Sequence, residues 1–160
     1  MTNKMVIVGI GHPHRGDDAV GTLAIEYLRQ MLPAHIPTQT CLGDMASLLD
    51  LFQQFETVYL IDAMVTNENT PGTLFRLNEV ELATIASQCR TSTHAFDLGQ
   101  TIDMARSLEM LPKQLVLFGI EARQFEAGAT LSPAVKQALP RLVEMIIKEL
   151  IEQDKELSNA

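Results

Sequence analysis

The chain has 160 residues, 46% hydrophobic and 20% charged, with a formal net charge of −8 from 12 basic and 20 acidic side chains. That length and composition suit one domain, 1–160, with a real core, and exclude a disordered chain. The acidic balance, without any basic stripe, gives no reason to expect a nucleic-acid partner.

Met5 to Ile10 is short, apolar and rich in β-branched residues, and it reads as a buried strand. The segment from Gly11 to Asp18 breaks it. From Ala19 to Met31 the period becomes helical, with Val20, Leu23, Ala24, Tyr27, Leu28 and Met31 expected on the inner side. Asp17 or Asp18 is a plausible N-cap for that helix. Pro37 to Leu42 gives a weak strand signal. Gly43 and Asp44 then open a short helix with Met45, Leu48, Leu49 and Phe52 inward.

Thr57 to Ile61 is the next buried strand, with Asp62 at its end. Gly72 to Leu77 suggests an edge strand, and Glu79 to Ser87 a short helix or an ordered loop. His94 precedes a helix near Leu98 to Leu111, and Gln114 to Ile120 forms another strand. Ser132 is expected to cap a long last helix that starts at Pro133. Its apolar face holds Val135, Leu139, Leu142, Val143, Ile146, Ile147 and Leu150. The dense charge run at its end, from Glu149 to Glu156, reads as a solvated helix end or a frayed tail.

This alternation predicts an α/β fold, a three-layer, doubly wound, mostly parallel sheet of about five strands with helices on both faces. The apolar runs are about 5–7 residues long, too short for buried helices. No apolar run is long enough to span a membrane. The N-terminus lacks a signal peptide's apolar region, and Cys41 and Cys89 form no CxxC pair. A cytoplasmic protein is the expectation.

Gly9-Ile10-Gly11 after a strand suggests a nucleotide fingerprint. The third glycine position is occupied by His14, Pro13 removes a backbone donor, and no acidic residue follows near Thr40 and Cys41. The loop also carries two acids where a phosphate site would prefer none. A nucleotide- or flavin-binding protein is therefore a minor alternative.

Asp18, Asp62 and His94 each fall next to a turn beyond a hydrophobic run. In an open α/β sheet such positions converge on one crevice. Two carboxylates and an imidazole can form a small metal site or an acid/base site. The bland readings are a cap for Asp18, a turn-former for Asp62 and a cap or surface residue for His94. His12 and His14 read as loop determinants, His35 as exposed, and both cysteines as buried or incidental thiols.

The opening VIVGIGHPHRGDDAVG, the LIDA at 60–63, the histidine of STHAFDL at 92–98, and LVLFGI followed by a glutamate and the LSP at 131–133 occur in a particular order. In that order they resemble the hydrogenase maturation endopeptidases, which process the large subunit of nickel-iron hydrogenases. The glycines and acids of the family pattern map to Gly9, Gly11, Asp17, Asp18 and Gly21. One departure is His12, where the family usually has asparagine.

The resemblance implies a protease that removes a short C-terminal extension from a nickel-loaded large-subunit precursor. It implies Asp18, Asp62 and His94 as the residues that engage nickel and serve catalysis. Nickel would be carried by the precursor, with an adventitious divalent metal able to occupy the same site. Carboxylate and imidazole donors suit such a borderline ion, and three ligands leave positions open for water or substrate. A single domain that must keep its crevice open to a large partner is expected to be a monomer. The rival from another class is a non-catalytic, metal-sensing chaperone of the same precursor.

Overall fold

The computed structural model describes residues 4–66, 69–86 and 95–158. Five strands pair into one sheet: β1 (Met5–Ile10), β2 (Thr38–Cys41), β3 (Thr57–Met64), β4 (Leu74–Asn78) and β5 (Gln114–Glu121). Their spatial order is β2-β1-β3-β5-β4. β1, β2, β3 and β5 run parallel, and β4 closes one edge antiparallel to β5.

Among the described residues five α-helices cover the sheet: α1 (Val20–Met31), α2 (Met45–Gln54), α3 (Glu79–Ala86), α4 (Ala95–Ser107) and α5 (Pro133–Ser158). The strand alternation sends one set of side chains to each face. Ile7, Tyr59, Ile61, Val116, Phe118 and Ile120 pack against α1 and α5. Val6, Val8, Val58, Leu60, Leu115 and Leu117 pack against α2, α3 and α4. The expected three-layer arrangement is therefore present. Among the described residues no helix is long and apolar enough to cross a membrane.

β3 lies between β1 and β5, and all eight of its residues are buried. Its pairing with β5 runs on through Asp62–Gly119, Ala63–Ile120 and Met64–Glu121. Asp62 thus sits inside the strand and not past its end, because β5 supplies partners for three more residues. The segment from Glu79 resolves as a helix. Asp44 caps α2 by accepting the Ser47 N–H at 3.1 Å.

The inner side of α1 differs from the expectation. Val20, Gly21, Ala24, Ile25 and Leu28 are buried, while Tyr27 is 50% and Met31 63% exposed. The stripe follows the closest contact with the sheet, made at Gly21, and so turns Ile25 inward in place of Tyr27. On α5 Val135, Leu139, Leu142, Val143, Ile146 and Leu150 of the expected face are buried, joined by Ala138, while Ile147 is partly buried against the same cluster. Glu149 is not merely a solvated member of the tail, since the Arg76 guanidinium donates to both of its carboxylate oxygens.

Candidate active site

The C-terminal ends of the parallel strands gather the polar groups of interest at one end of the sheet. β1 leaves the sheet at Ile10 and turns through Gly11 into a 3-10 helix over Gly16–Ala19, which leads directly into α1. The last pair between β1 and β3 is Gly9–Ile61, so Asp62 lies one residue further along, level with Ile10. Gly21 seats the first turn of α1 onto this place. A Cβ there would lie 2.4 Å from the Ile10 carbonyl oxygen and 2.8 Å from that of Ile61. Only a glycine permits that approach, and it brings the start of the helix, with Asp18 just before it, to the β1–β3 mouth.

Asp18 is 3% exposed and Asp62 2%. One carboxylate oxygen of Asp18 accepts the His12 backbone N–H at 2.9 Å. Gly11 lies directly beneath, at φ 135°. A Cβ there would fall 2.0 Å from the Asp18 carbonyl oxygen and 3.2 Å from its carboxylate. Asp62 accepts the N–H of Ala63 at 2.8 Å. Burying carboxylates is costly unless donors or a cation compensate.

Asp17 is fully buried, yet it faces elsewhere. Its carboxylate accepts the N–H groups of Arg123 at 3.1 Å, Gln124 at 3.0 Å and Ser132 at 2.7 Å. It also accepts the Ser132 hydroxyl at 2.9 Å. Neither aspartate caps α1. The residue at the cap position is Ala19, which makes no side-chain cap bond, because both carboxylates are used in tertiary contacts. The hydroxyl expected to cap α5, that of Ser132, donates to Asp17, while the Ser132 carbonyl accepts the Lys136 N–H at 2.9 Å.

His94 lies outside the described residues, as does Cys89. Two members of the expected trio, Asp18 and Asp62, therefore have described positions, both at the same end of the sheet. Among the described residues no group of three or more His, Cys, Asp or Glu side chains is placed to hold a metal ion. A ligand set that includes His94 is not covered by that statement. His12 and His14 behave as loop residues. The His14 N–H donates to His12 Nδ1 at 3.2 Å, and the rings meet edge-on at 5.9 Å. His35 is exposed.

Two more groups sit at this end. Cys41 closes β2, paired with Ile10, and its carbonyl accepts the Gly11 N–H at 3.0 Å. Burial pushes its thiol above the ordinary value; the carboxylates of Asp44 and Asp62 add to that, against a lowering by the Gly43 N–H. A thiol held protonated is a poor nucleophile. Its distance in sequence from Asp62 hides this proximity, and the strand register alone reveals it. Glu121, at the end of β5 and 1% exposed, accepts the N–H of Thr66 at 2.9 Å and the Thr66 hydroxyl. It thereby ties down the segment that leaves β3. Buried carboxylates at the glycine loop disfavour a phosphate ligand there.

A family model described as "Hydrogenase maturation protease" matches residues 43–149. The chain is 25% identical over 162 residues to the hydrogenase 2 maturation protease of Escherichia coli K12, covering 96% of this chain and 94% of that protein. The structure of the E. coli hydrogenase maturating endopeptidase HybD superposes with a TM-score of 0.79 at 25% identity, over 94% of this chain and 93% of that one. The [NiFe] hydrogenase maturation protease HybD of Thermococcus kodakarensis shares the fold, with a TM-score of 0.70 at 21% identity, over 91% and 97% of the two chains. Given this match over two thirds of its length, the chain belongs to the hydrogenase maturation protease family and is a peptide-bond hydrolase.

Proposed function

We propose that this chain removes the C-terminal extension from a nickel-loaded large-subunit precursor of a nickel-iron hydrogenase. Asp18, Asp62 and His94 are assigned to engage the nickel. The observation that carries the reading is the pair of carboxylates, Asp18 and Asp62. They come from separate elements and are buried at one mouth of the sheet, in a chain of this family. A cation arriving there offsets the repulsion and desolvation that two buried carboxylates otherwise suffer.

In this reading the nickel belongs to the substrate. Its capture by the trio reports that the metal has been inserted, and it fixes the precursor's tail in the crevice. Positioning of this kind lowers the entropic part of the barrier. Asp18 or Asp62 then takes a proton from water as that water attacks the scissile carbonyl, and the proton passes to the departing amine. No cysteine nucleophile is required, in keeping with the upward push that burial gives the Cys41 thiol.

The test is incubation of the chain with nickel-loaded and nickel-free precursor. Cleavage of the loaded form alone is expected. Asp18→Asn, Asp62→Asn and His94→Ala should each lower the processing rate by about a hundredfold or more. Normal processing by all three variants would refute the site assignment. Metal-dependent binding without cleavage would make the chain a sensing chaperone instead.

A further inference from the structure

We propose that Asp17 is the positioning residue of the active site, holding Asp18 in place by clamping the glycine loop to the loop that follows β5. This rests on the assignment of Asp18 to the site. The two aspartates are neighbours on a 3-10 helix, where successive side chains diverge by about a third of a turn. Asp18 consequently faces the end of β1, where it accepts the His12 N–H. Asp17 faces away, into a ring of donors from Arg123, Gln124 and Ser132.

The two loops are laced together around that carboxylate. The Gly16 N–H donates to the Ala129 carbonyl at 3.0 Å, the Asp17 N–H to that of Gln124 at 2.6 Å, and the Gly128 N–H to that of His14 at 2.7 Å. The clamp spans more than a hundred residues of sequence, with Ser132 lying 115 positions from Asp17. It fixes the one short turn that carries Asp18. A carboxylate suits this place because it only accepts, and the Arg123, Gln124 and Ser132 N–H groups and the Ser132 hydroxyl all donate to it. An amide of the same shape would present its NH2 group to at least one of the backbone N–H groups. The turn would then have to shift to relieve the conflict.

The Asp17 carboxylate is turned into its own ring of donors from Arg123, Gln124 and Ser132, so its effect must pass through Asp18. A group that acts on placement alone should change the chemical step more than binding. The experiment compares wild type, Asp17→Asn and Ser132→Ala. Steady-state processing of nickel-loaded precursor is measured at a temperature where all three are folded. Amide hydrogen exchange is measured on the free proteins.

Asp17→Asn is expected to lower kcat by about tenfold or more with KM within about threefold. Ser132→Ala, which removes one donor of four, should give a smaller loss of the same kind. The His12 amide, whose hydrogen bond ends on Asp18, should exchange about tenfold faster in Asp17→Asn, while those of Ile7 and Val8 in β1 keep their protection. An unchanged His12 amide, or a rise in KM at constant kcat, would overturn the inference. If Asp17→Asn does not fold, Ser132→Ala provides the same comparison. Failure of wild type to cleave would refute the functional reading, whereas the exchange measurement needs no substrate and decides the role of Asp17 separately.

Discussion

Gly21→Ala sets helix propensity directly against the packing of α1 on the sheet. On propensity alone the change should stabilise the helix by about 1 kcal/mol. The new Cβ, however, would lie 2.4 Å from the Ile10 carbonyl oxygen, 2.7 Å from the Ile10 nitrogen and 2.8 Å from the Ile61 carbonyl oxygen, where contacts under 3.0 Å are essentially never found. All three atoms are backbone in adjoining strands, so no side chain can swing aside. The helix start must lift by at least about 0.6 Å, the difference between 3.0 and 2.4 Å. Overpacking of this kind costs about 1–3 kcal/mol, and a rigid backbone obstacle places it in the upper part of that range. The net expectation is a loss of about 1–2 kcal/mol, or a fall in Tm of about 2–8 °C for a chain of this size. Urea denaturation and thermal scans of the two proteins measure it. Because Asp18 lies three residues before Gly21, the same lift should also slow precursor processing. A variant as stable as the parent would show that α1 does not sit on Ile10 and Ile61, and the placement of Asp18 would fail with it.

Two further tests address the Tyr59 hydroxyl and the Cys41 thiol. The Tyr59 hydroxyl has no hydrogen-bond partner among the described residues. Tyr59→Phe should therefore be neutral or stabilising by up to about 1 kcal/mol at neutral pH, measured by urea denaturation. Burial, with Glu149 adding and Arg76 opposing, pushes that phenol up to about 12, against about 10 in the unfolded chain. The unfolded state loses its proton first, so stability is intact below about pH 10 and declines as pH rises towards 12. Tyr59→Phe should flatten that alkaline decline, and an identical slope in both proteins would refute the assignment. For Cys41, iodoacetamide labelling in a Cys89→Ala background should show a midpoint above that of a free thiol, because burial and the nearby carboxylates favour the protonated form. A midpoint below the free-thiol value would refute that environment.

The sequence carried the layer architecture because strand and helix periods are local signals. MVIVGI and TVYLI each bury both faces, and the valine-rich and leucine-rich face of α5 repeats at helical spacing. What it could not carry was the extent of pairing. The strand TVYLI reads as ending at Ile61, since Asp62 disfavours a buried position, but β5 continues alongside to Glu121 and keeps Asp62 in the ladder. The inner stripe of α1 keeps Val20, Ala24 and Leu28 but takes in Gly21 and Ile25 in place of Tyr27 and Met31, for a similar reason. A tyrosine at 27 looks more buried than it is when the glycine that seats the helix is not yet known to touch the sheet.

Asp17 and Asp18 show where local reading ends. Both are acids before a helix, both suit an N-cap, and composition ranks neither above the other. The distinction arises from the turn between them and from Ser132 and Gln124, residues more than a hundred positions away. A tight turn makes adjacent residues face different parts of the molecule. One acid can then be sealed among fixed donors from a distant loop while the next faces the strand mouth, where it accepts the His12 N–H. Two consecutive aspartates are therefore better understood as a foundation and the group it supports than as a doubled ligand. This division of labour explains why both are buried without requiring both to meet the substrate.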